Sequence, residues 1–243
     1  MSRSVAVLRP EPGNSRTAAA VEAMGLDAIR LPLFTVFPVA WSPPEPDAYD
    51  AIVATSANAF RHGGAELAAL TALPVLAVGA ATAAAARAAG FAVTATGERD
   101  AASLVAEAPG RLLHLAGREH RPVAGAATRI VYATGTTTVD AARLATLAGQ
   151  VALLHSPRAA ARLAELVPPA ARATIRLATL SAAVSAAAGE GWARVEHAPA
   201  PRDDLLLAIA GAMATDDGAR DADRSAASVP IDRAAFGGDN RGR

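Results

Sequence analysis

Small hydroxyl side chains follow apolar runs at four points of this sequence, and an alanine-rich stretch typical of a helix comes next each time. The four are Ser56 in IVATSANAF (52–60), Thr82 in VLAVGAATAAAARAAG (75–90), Ser156 in LLHSPRAAA (153–161) and Ser181 in LATLSAAVSAAAG (177–189). The first turn of a helix has N–H groups without intrahelical partners, so such a position can bind an anion through the backbone. The pattern therefore indicates sites for carboxylate or phosphate groups. A helix cap or a small packing residue is the alternative for each position.

Residue types that are absent from the sequence exclude several kinds of reaction and binding site. The 243 residues include no cysteine, and all 23 basic residues are arginine. Disulfides, thiol nucleophiles, Schiff-base chemistry and a phosphate-loop lysine are therefore excluded. The five histidines, at positions 62, 114, 120, 155 and 197, lack metal-ligand spacing with an acidic residue, so we interpret them as structural. A formal net charge of zero argues against a general nucleic-acid binder.

Strand-like and helix-like segments alternate along most of the chain. Continuous apolar runs such as VLAVG (75–79), joined by helices, indicate parallel sheets that are covered on both faces. Two extended runs, DAIRLPLFTVFPV (27–39) and TRIVYAT (128–134), are predicted strands that do not fit this alternation. A helix is predicted over 100–108, with Asp100 as its cap. The polar composition of residues 216–243 predicts a disordered tail.

Two further classes of protein are disfavoured by the sequence. It has no run of about 18 or more strongly apolar residues, and the apolar stretch near its start is too short for a signal peptide. We therefore expect a cytoplasmic protein without a membrane-spanning segment. A nucleotide-dependent enzyme is a weaker interpretation, because VLRPEPGNS and AVGAATAAAA both lack the three-glycine fingerprint of dinucleotide-binding turns.

The order of these motifs resembles the uroporphyrinogen-III synthase family. The resemblance extends from about residue 5 to about residue 213, and its motifs are VLRPEPGN, LPLF, TSANAF, AVGAATAAAARAAG, VYAT (131–134), LLHSPRAAARL and HAPAPRDDLLLAI. It implies an α/β fold of two lobes with parallel sheets flanked by helices, joined by two extended connectors at LPLFTVFPV and RIVYATGTT. The first lobe would comprise 1–34 plus 135–215 and the inserted second lobe 36–131, with the active site in the cleft between them.

The resemblance implies a cyclising enzyme of haem biosynthesis. Its substrate would be the linear tetrapyrrole hydroxymethylbilane, converted to uroporphyrinogen III with inversion of the last pyrrole ring and loss of water. Loss of the terminal hydroxyl yields an azafulvene; the substituted carbon of the far ring attacks it, and the spirocyclic pyrrolenine fragments and recloses. No metal or organic cofactor is implied. The enzyme must hold a flexible substrate in one closure geometry, since the unconstrained chain closes head to tail.

The resemblance also implies roles for particular residues. Tyr132 in VYAT matches the family's connector tyrosine and would help the hydroxyl to leave, with a plain core tyrosine as the alternative. The residues expected to bind the acetate and propionate groups of the substrate are Arg9, Ser56, Asn58, Thr82, Ser156 and Ser181. Arg9 could instead pair with Glu11. Many family members have a glycine and paired threonines at the last of the four turns, whereas this chain has only the Ser181 hydroxyl there.

A different class of protein gives a similar pattern. A non-enzymatic two-lobed protein that binds a small anionic ligand would carry the same strand-end residues, with the connectors as simple hinges. The segment GREHRP (117–122) is a further candidate for a carboxylate-binding patch, although a solvated loop explains it as well. For the cyclising enzyme we expect a monomer whose partner is a small molecule, with no nucleic acid and no membrane.

Overall fold

The structure is a computed structural model that describes residues 2–97, 104 and 110–216. The chain forms two compact units. The first unit contains the residues through Val7, Thr17–Ile29 and the residues from Leu144 onward, and the second contains Leu8–Arg16 and Arg30–Arg143. Apart from Leu104, the helix predicted over 100–108 lies outside the described residues, and so does the predicted tail beyond Asp216.

Strands and helices alternate as the sequence predicts. The described strands are β1 Val5–Val7, β2 Ala28–Arg30, β3 Phe34–Pro38, β4 Ala51–Ala54, β5 Val75–Val78, β6 Val93–Gly97, β7 Leu112–Gly117, β8 Ala126–Thr136, β9 Val151–Leu154, β10 Arg176–Thr179 and β11 Arg194–His197. The described α-helices are α1 Gly13–Ala23, α2 Asn58–His62, α3 Ala80–Ala88, α4 Ala141–Ala145, α5 Pro157–Leu166, α6 Pro169–Arg172, α7 Ala182–Ala188 and α8 Asp203–Thr215. No described helix has both the length and the apolar character needed to cross a membrane.

The first unit is built on a five-stranded sheet in the order β11-β10-β9-β1-β2. Strands β11, β10, β9 and β1 run parallel to one another. Side chains of β1 and β9, among them Val7 and Leu153, pack with Leu206 and Met213 of α8 in the core. Strands β9 and β10 are buried along their whole length, as expected for parallel strands covered on both faces.

The second unit has a six-stranded sheet in the order β3-β8-β7-β4-β5-β6. All its pairs are parallel except β3 with β8. The two faces of the sheet have separate apolar clusters. Ile52 and Leu113 pack on one face with Phe60 of α2 and Ala83 of α3, while Val53 packs on the opposite face. The α/β fold with parallel sheets flanked by helices is therefore confirmed.

The extended run at 27–39 differs from the single strand predicted for it. The structure divides it into β2 and β3, and the break falls at Leu31, Pro32 and Leu33. A proline cannot donate a ladder hydrogen bond, so the strand is interrupted there. The Leu33 N–H instead donates to the Leu8 carbonyl at 3.0 Å.

Candidate functional site

Three parallel strands of the second unit end at one edge of its sheet, and predicted site residues lie just beyond or beside these ends. Strand β4 pairs in parallel with both β5 and β7. Ser56 follows β4, Thr82 lies beyond the end of β5, and Tyr132 of β8 pairs with Gly117, the last residue of β7. The structure thus brings these side chains to the carboxyl edge, where open α/β sheets bind their ligands.

Thr82 lies in the first turn of α3. Gly79 precedes this helix with a φ of 83°, a left-handed conformation that favours glycine, and its carbonyl accepts a hydrogen bond from the Thr82 N–H at 3.1 Å. Ala80 and Ala81, at the start of the helix, are exposed. Their N–H groups are among those that a helix leaves without an internal partner, so this turn can donate to an anion. The Thr82 side chain itself is 4% exposed.

Ser56 and Asn58 form a short local turn before α2. The Ser56 Oγ accepts a hydrogen bond from the Asn58 N–H at 3.2 Å, and the Ser56 carbonyl accepts one from the Ala59 N–H at 3.1 Å. Both side chains are half-buried. Ser56 therefore stabilises the turn, and its hydroxyl proton can still be donated to a ligand because only the oxygen is used here.

The Tyr132 side chain is half-buried against the core cluster that includes Phe60 and Ala83. Its ring lies over the Cα of Gly117: a Cβ built on this glycine would be 2.5 Å from the Tyr132 Cε2 and Cζ atoms. Gly117 is not among the residues predicted for the site. Its signal in the sequence is a glycine at the end of a predicted strand, RLLHLAG (111–117).

Arg9 lies in the loop after β1, close to the start of α1. Its guanidinium occupies the space beside Gly13, where a Cβ would be 2.5 Å from the Arg9 Nε. Its carbonyl accepts a hydrogen bond from the Asn14 Nδ2 at 3.0 Å. Glu11 binds the Arg30 guanidinium, with Oε1 to Nη2 at 2.5 Å.

The carboxylate of Glu11 is held in a local network. Its Oε2 accepts hydrogen bonds from the Ser15 N–H at 3.1 Å and the Ser15 hydroxyl at 2.8 Å. Burial tends to raise the pKa of Glu11, but the hydrogen bonds from Ser15 and Arg30 outweigh this effect and lower the pKa below its ordinary value. Glu11 also lines a cavity of about 480 Å³ in the second unit, together with Arg61 and His62. Burial and the nearby Arg61 lower the pKa of His62.

In the first unit, Ser156 and Ser181 both precede helices but differ in their contacts. Ser156 is the N-cap of α5, and its Oγ accepts a hydrogen bond from the Ala159 N–H at 3.2 Å. Ser181 precedes α7, and its side chain makes no capping hydrogen bond. The buried Thr179 Oγ1 instead holds this turn, with contacts to the Ser181 carbonyl at 3.3 Å and the Ser185 Oγ at 2.7 Å.

His114 lies on β7, but its side chain is on the face of the sheet opposite to Tyr132. It pairs with Val53, whose cluster covers the sheet face opposite to the one that Tyr132 packs on. Within 2–97 and 110–216, no group of three or more His, Asp or Glu side chains is arranged to hold a metal ion.

The fold and the strand ends define a two-unit α/β protein with hydroxyl side chains at the carboxyl edges of its parallel sheets. A family model described as uroporphyrinogen-III synthase HemD matches residues 15–208. The chain therefore belongs to the uroporphyrinogen-III synthase family.

One solved structure supports this fold. Uroporphyrinogen-III synthetase from Helicobacter pylori is similar with a TM-score of 0.60 and 14% identity, over 86% of this chain and 98% of that chain. A mutant uroporphyrinogen III synthase from Thermus thermophilus gives a TM-score of 0.45 and 16% identity, over 85% of this chain and 97% of that chain. No curated protein matches the sequence significantly.

The family membership fixes the reaction. The protein cyclises hydroxymethylbilane to uroporphyrinogen III, with inversion of the last pyrrole ring and loss of water, in haem biosynthesis. It therefore acts on a tetrapyrrole substrate. The alternative of a non-enzymatic binding protein finds no support.

Proposed function

We propose that Tyr132 assists the first chemical step of this cyclisation. In that step the bond between the terminal carbon and its hydroxyl oxygen breaks, while the pyrrole nitrogen supplies electrons to form the azafulvene. The Tyr132 hydroxyl donates a hydrogen bond or a proton to the departing oxygen, which leaves as water. The observation that supports this role is the pairing of Tyr132 with Gly117, because it brings the phenol to the carboxyl edge of the sheet, near the turns of Ser56 and Thr82.

We propose that the turns at this edge bind the carboxylates of the substrate. The Thr82 turn supplies backbone N–H groups from Ala80 and Ala81, and Ser56 and Asn58 supply side-chain donors. Hydrogen bonds to charged groups contribute about 1.5–3 kcal/mol each, so several are enough for tight binding without a lysine. Arg9 adds a guanidinium that can bind a carboxylate with two parallel hydrogen bonds.

The same proposal includes the first unit. Ser181 has a side chain that is not used as a cap, which supports a role in binding a substrate carboxylate. Ser156 is engaged by the Ala159 N–H, so its contribution to binding is the donation of its hydroxyl proton. These contacts act by positioning the substrate: they hold the substituted carbon of the far ring close to the azafulvene. Spirocyclic closure is then faster than head-to-tail closure.

The substitution Tyr132→Phe tests the catalytic role. The purified enzyme is given freshly prepared hydroxymethylbilane, and the uroporphyrin isomers are separated after oxidation. General acids typically contribute about 10²–10⁴-fold, so we expect kcat to fall within that range and the unrearranged isomer to increase. Tyr49→Phe is the matched control, because Tyr49 is the other of the two tyrosines in the chain. Wild-type turnover and isomer ratio in Y132F would contradict the proposal.

We further propose that the enzyme is a cytoplasmic monomer. Its folding domains would be 1–34 with 135–215 and the inserted 36–131, as predicted from the sequence, with 216–243 as a tail. Light scattering of the eluted protein tests the monomer directly: a mass near 24.4 kDa is expected, and a mass twice as large contradicts it.

A further inference from the structure

Strand β8 has one extra residue where it passes the end of β7. Ala116 pairs with Ile130, but the next residue, Gly117, pairs with Tyr132, so Val131 has no counterpart on β7. This arrangement is a β-bulge. In an uninterrupted ladder Gly117 would pair with Val131, and Tyr132 would point to the other face of the sheet, because side chains alternate along a strand.

The bulge therefore decides which face of the sheet receives the tyrosine. Val131 and Tyr132 both pack with the cluster that contains Leu115, Phe60 and Ala83. This is the face covered by α2 and α3, the helices that follow the Ser56 and Thr82 turns. A single extra residue thus places the phenol on the same side as the proposed carboxylate-binding turns.

The ring of Tyr132 occupies the space that a side chain at position 117 would need. A Cβ on Gly117 would lie 2.5 Å from Cε2 and Cζ of Tyr132 and 2.8 Å from its hydroxyl oxygen. Gly117 does not have a left-handed φ, so its backbone conformation does not require glycine. The absence of a Cβ at this position is therefore explained by the tyrosine ring.

The backbone around the bulge is held from both sides. The Arg118 N–H donates to the Tyr132 carbonyl at 3.0 Å, and the Val39 N–H donates to the Val131 carbonyl at 3.3 Å. Moving either strand would break these bonds and leave carbonyl groups without partners. A methyl group added at Gly117 would therefore displace the ring of Tyr132 rather than the strands.

We propose that Gly117 is a positioning residue, which fixes the Tyr132 hydroxyl by letting the ring lie directly on the end of β7. The proposal rests on the catalytic role proposed for Tyr132. Carbon atoms in contact are roughly 3.5 Å apart, so a Cβ at Gly117 must displace the ring by about 1 Å. A misplacement of about 1 Å can reduce the rate of a reaction by about 10²-fold.

Gly117→Ala tests the proposal by kinetics. We expect kcat to fall by about 10²-fold with KM little changed, because the loss concerns the reacting geometry and not ground-state binding. The matched control is Gly135→Ala on β8, the strand that carries Tyr132. Its Cβ would meet only the Phe37 ring closely, at 3.0 Å, and this side chain is 38% exposed and can turn away. G135A should keep wild-type kinetics.

The double variant G117A/Y132F separates positioning from a general effect on the sheet. If Gly117 acts through the Tyr132 hydroxyl, the double variant has the same kcat as Y132F alone. Wild-type kcat in G117A, or a further loss when it is added to Y132F, would overturn the proposal. Wild-type turnover of Y132F would instead overturn the catalytic role of Tyr132, so the two failures are distinguishable.

A second measurement does not depend on activity. With only two tyrosines in the chain, 3-fluorotyrosine labelling gives two ¹⁹F resonances, and Tyr49→Phe assigns them. The Tyr132 resonance should shift in G117A and stay in place in G135A; an unmoved resonance in G117A overturns the proposal. If G117A does not fold, the test is made on the wild type by measuring nuclear Overhauser contacts between the Gly117 Hα protons and the Tyr132 ring protons. The absence of these contacts would overturn the proposal.

Discussion

His114 gives the second unit a stability that depends on pH. The residue is fully buried on β7, and its Nε2 lies 3.3 Å from the Thr55 Oγ1. Within the described part of the chain its Nδ1 has no hydrogen-bond partner. Burial, and then the nearby charge of His120, lower the pKa of His114 from 6.5 to about 4. The folded protein therefore holds this histidine neutral at a pH where the unfolded chain already protonates it.

The sign and size of the effect follow from that difference in pKa. Between about pH 6.5 and pH 4 the unfolded state binds more protons at His114 than the folded state does. The stability that comes from this difference is fully present above the window and is lost as the pH falls through it. The whole shift corresponds to roughly 3–4 kcal/mol, and solvent screening reduces it. Between pH 8 and pH 5 we expect the free energy of unfolding of the wild type to fall by about 1–2 kcal/mol more than that of His114→Gln. The variant has no titrating group at this position.

The two tryptophans make the assay specific for one unit. Trp41 belongs to the second unit, where its Nε1 donates to the Gly63 carbonyl at 2.8 Å, and Trp192 belongs to the first unit. In a Trp192→Phe background the fluorescence of Trp41 alone reports urea unfolding around His114. Unfolding free energies are measured at pH 8, 7, 6 and 5 with and without H114Q. His197→Gln is the control for removing an exposed histidine.

Parallel pH curves for wild type and H114Q would refute this reasoning, because they would mean that burial does not depress the proton affinity of His114. A difference of the expected size but opposite sign would refute it too, since it would require the folded protein to prefer the charged ring. The carboxyl groups titrate in both proteins and cancel in the comparison. The effect is therefore assigned to position 114 alone.

Three further substitutions test the strand ends of the first unit, in a Trp41→Phe background where Trp192 is the remaining tryptophan. Ser156→Ala should lower the free energy of urea unfolding by about 0.5–2 kcal/mol because it removes an N-cap, whereas Ser181→Ala should change it much less; equal losses would contradict the observed difference in capping. Thr179→Val should cost about 1–3 kcal/mol, since it removes a fully buried hydroxyl bonded to Ser185 and to neighbouring carbonyls. An unfolding midpoint unchanged in T179V would show that those contacts contribute nothing.

The alternation of strands and helices could be predicted because it is a local property. Runs such as 75–79 are apolar without interruption, and that composition alone indicates a parallel strand covered on both faces. The division of 27–39 was missed although its cause, Pro32, is visible in the sequence. The residues on both sides of Pro32 have the composition of a strand, so the pattern predicts one continuous strand, whereas the proline lacks the N–H that a ladder needs.

The orientation of Tyr132 could not be predicted. Its strand was correctly expected, but the face that it occupies depends on one unpaired residue, Val131, in a ladder with β7. Pairing between strands is not a property of either segment by itself, so no periodicity within 128–134 reveals it. The ion pair of Glu11 with Arg30 could not be predicted either. The sequence contains many arginines, and nothing in it indicates which of them lies beside Glu11 in the fold.

Strand β8 changes partner at Tyr132: its first part runs beside β7, and from this residue onward it runs antiparallel to β3. Exchanges of one apolar residue for another at Ile130 or Val131 leave the phenol where it is. A residue added to this stretch would pair with Gly117 in place of the tyrosine and turn the phenol to the far side of the sheet. An added residue is therefore a more damaging change in this strand than an exchange of apolar side chains.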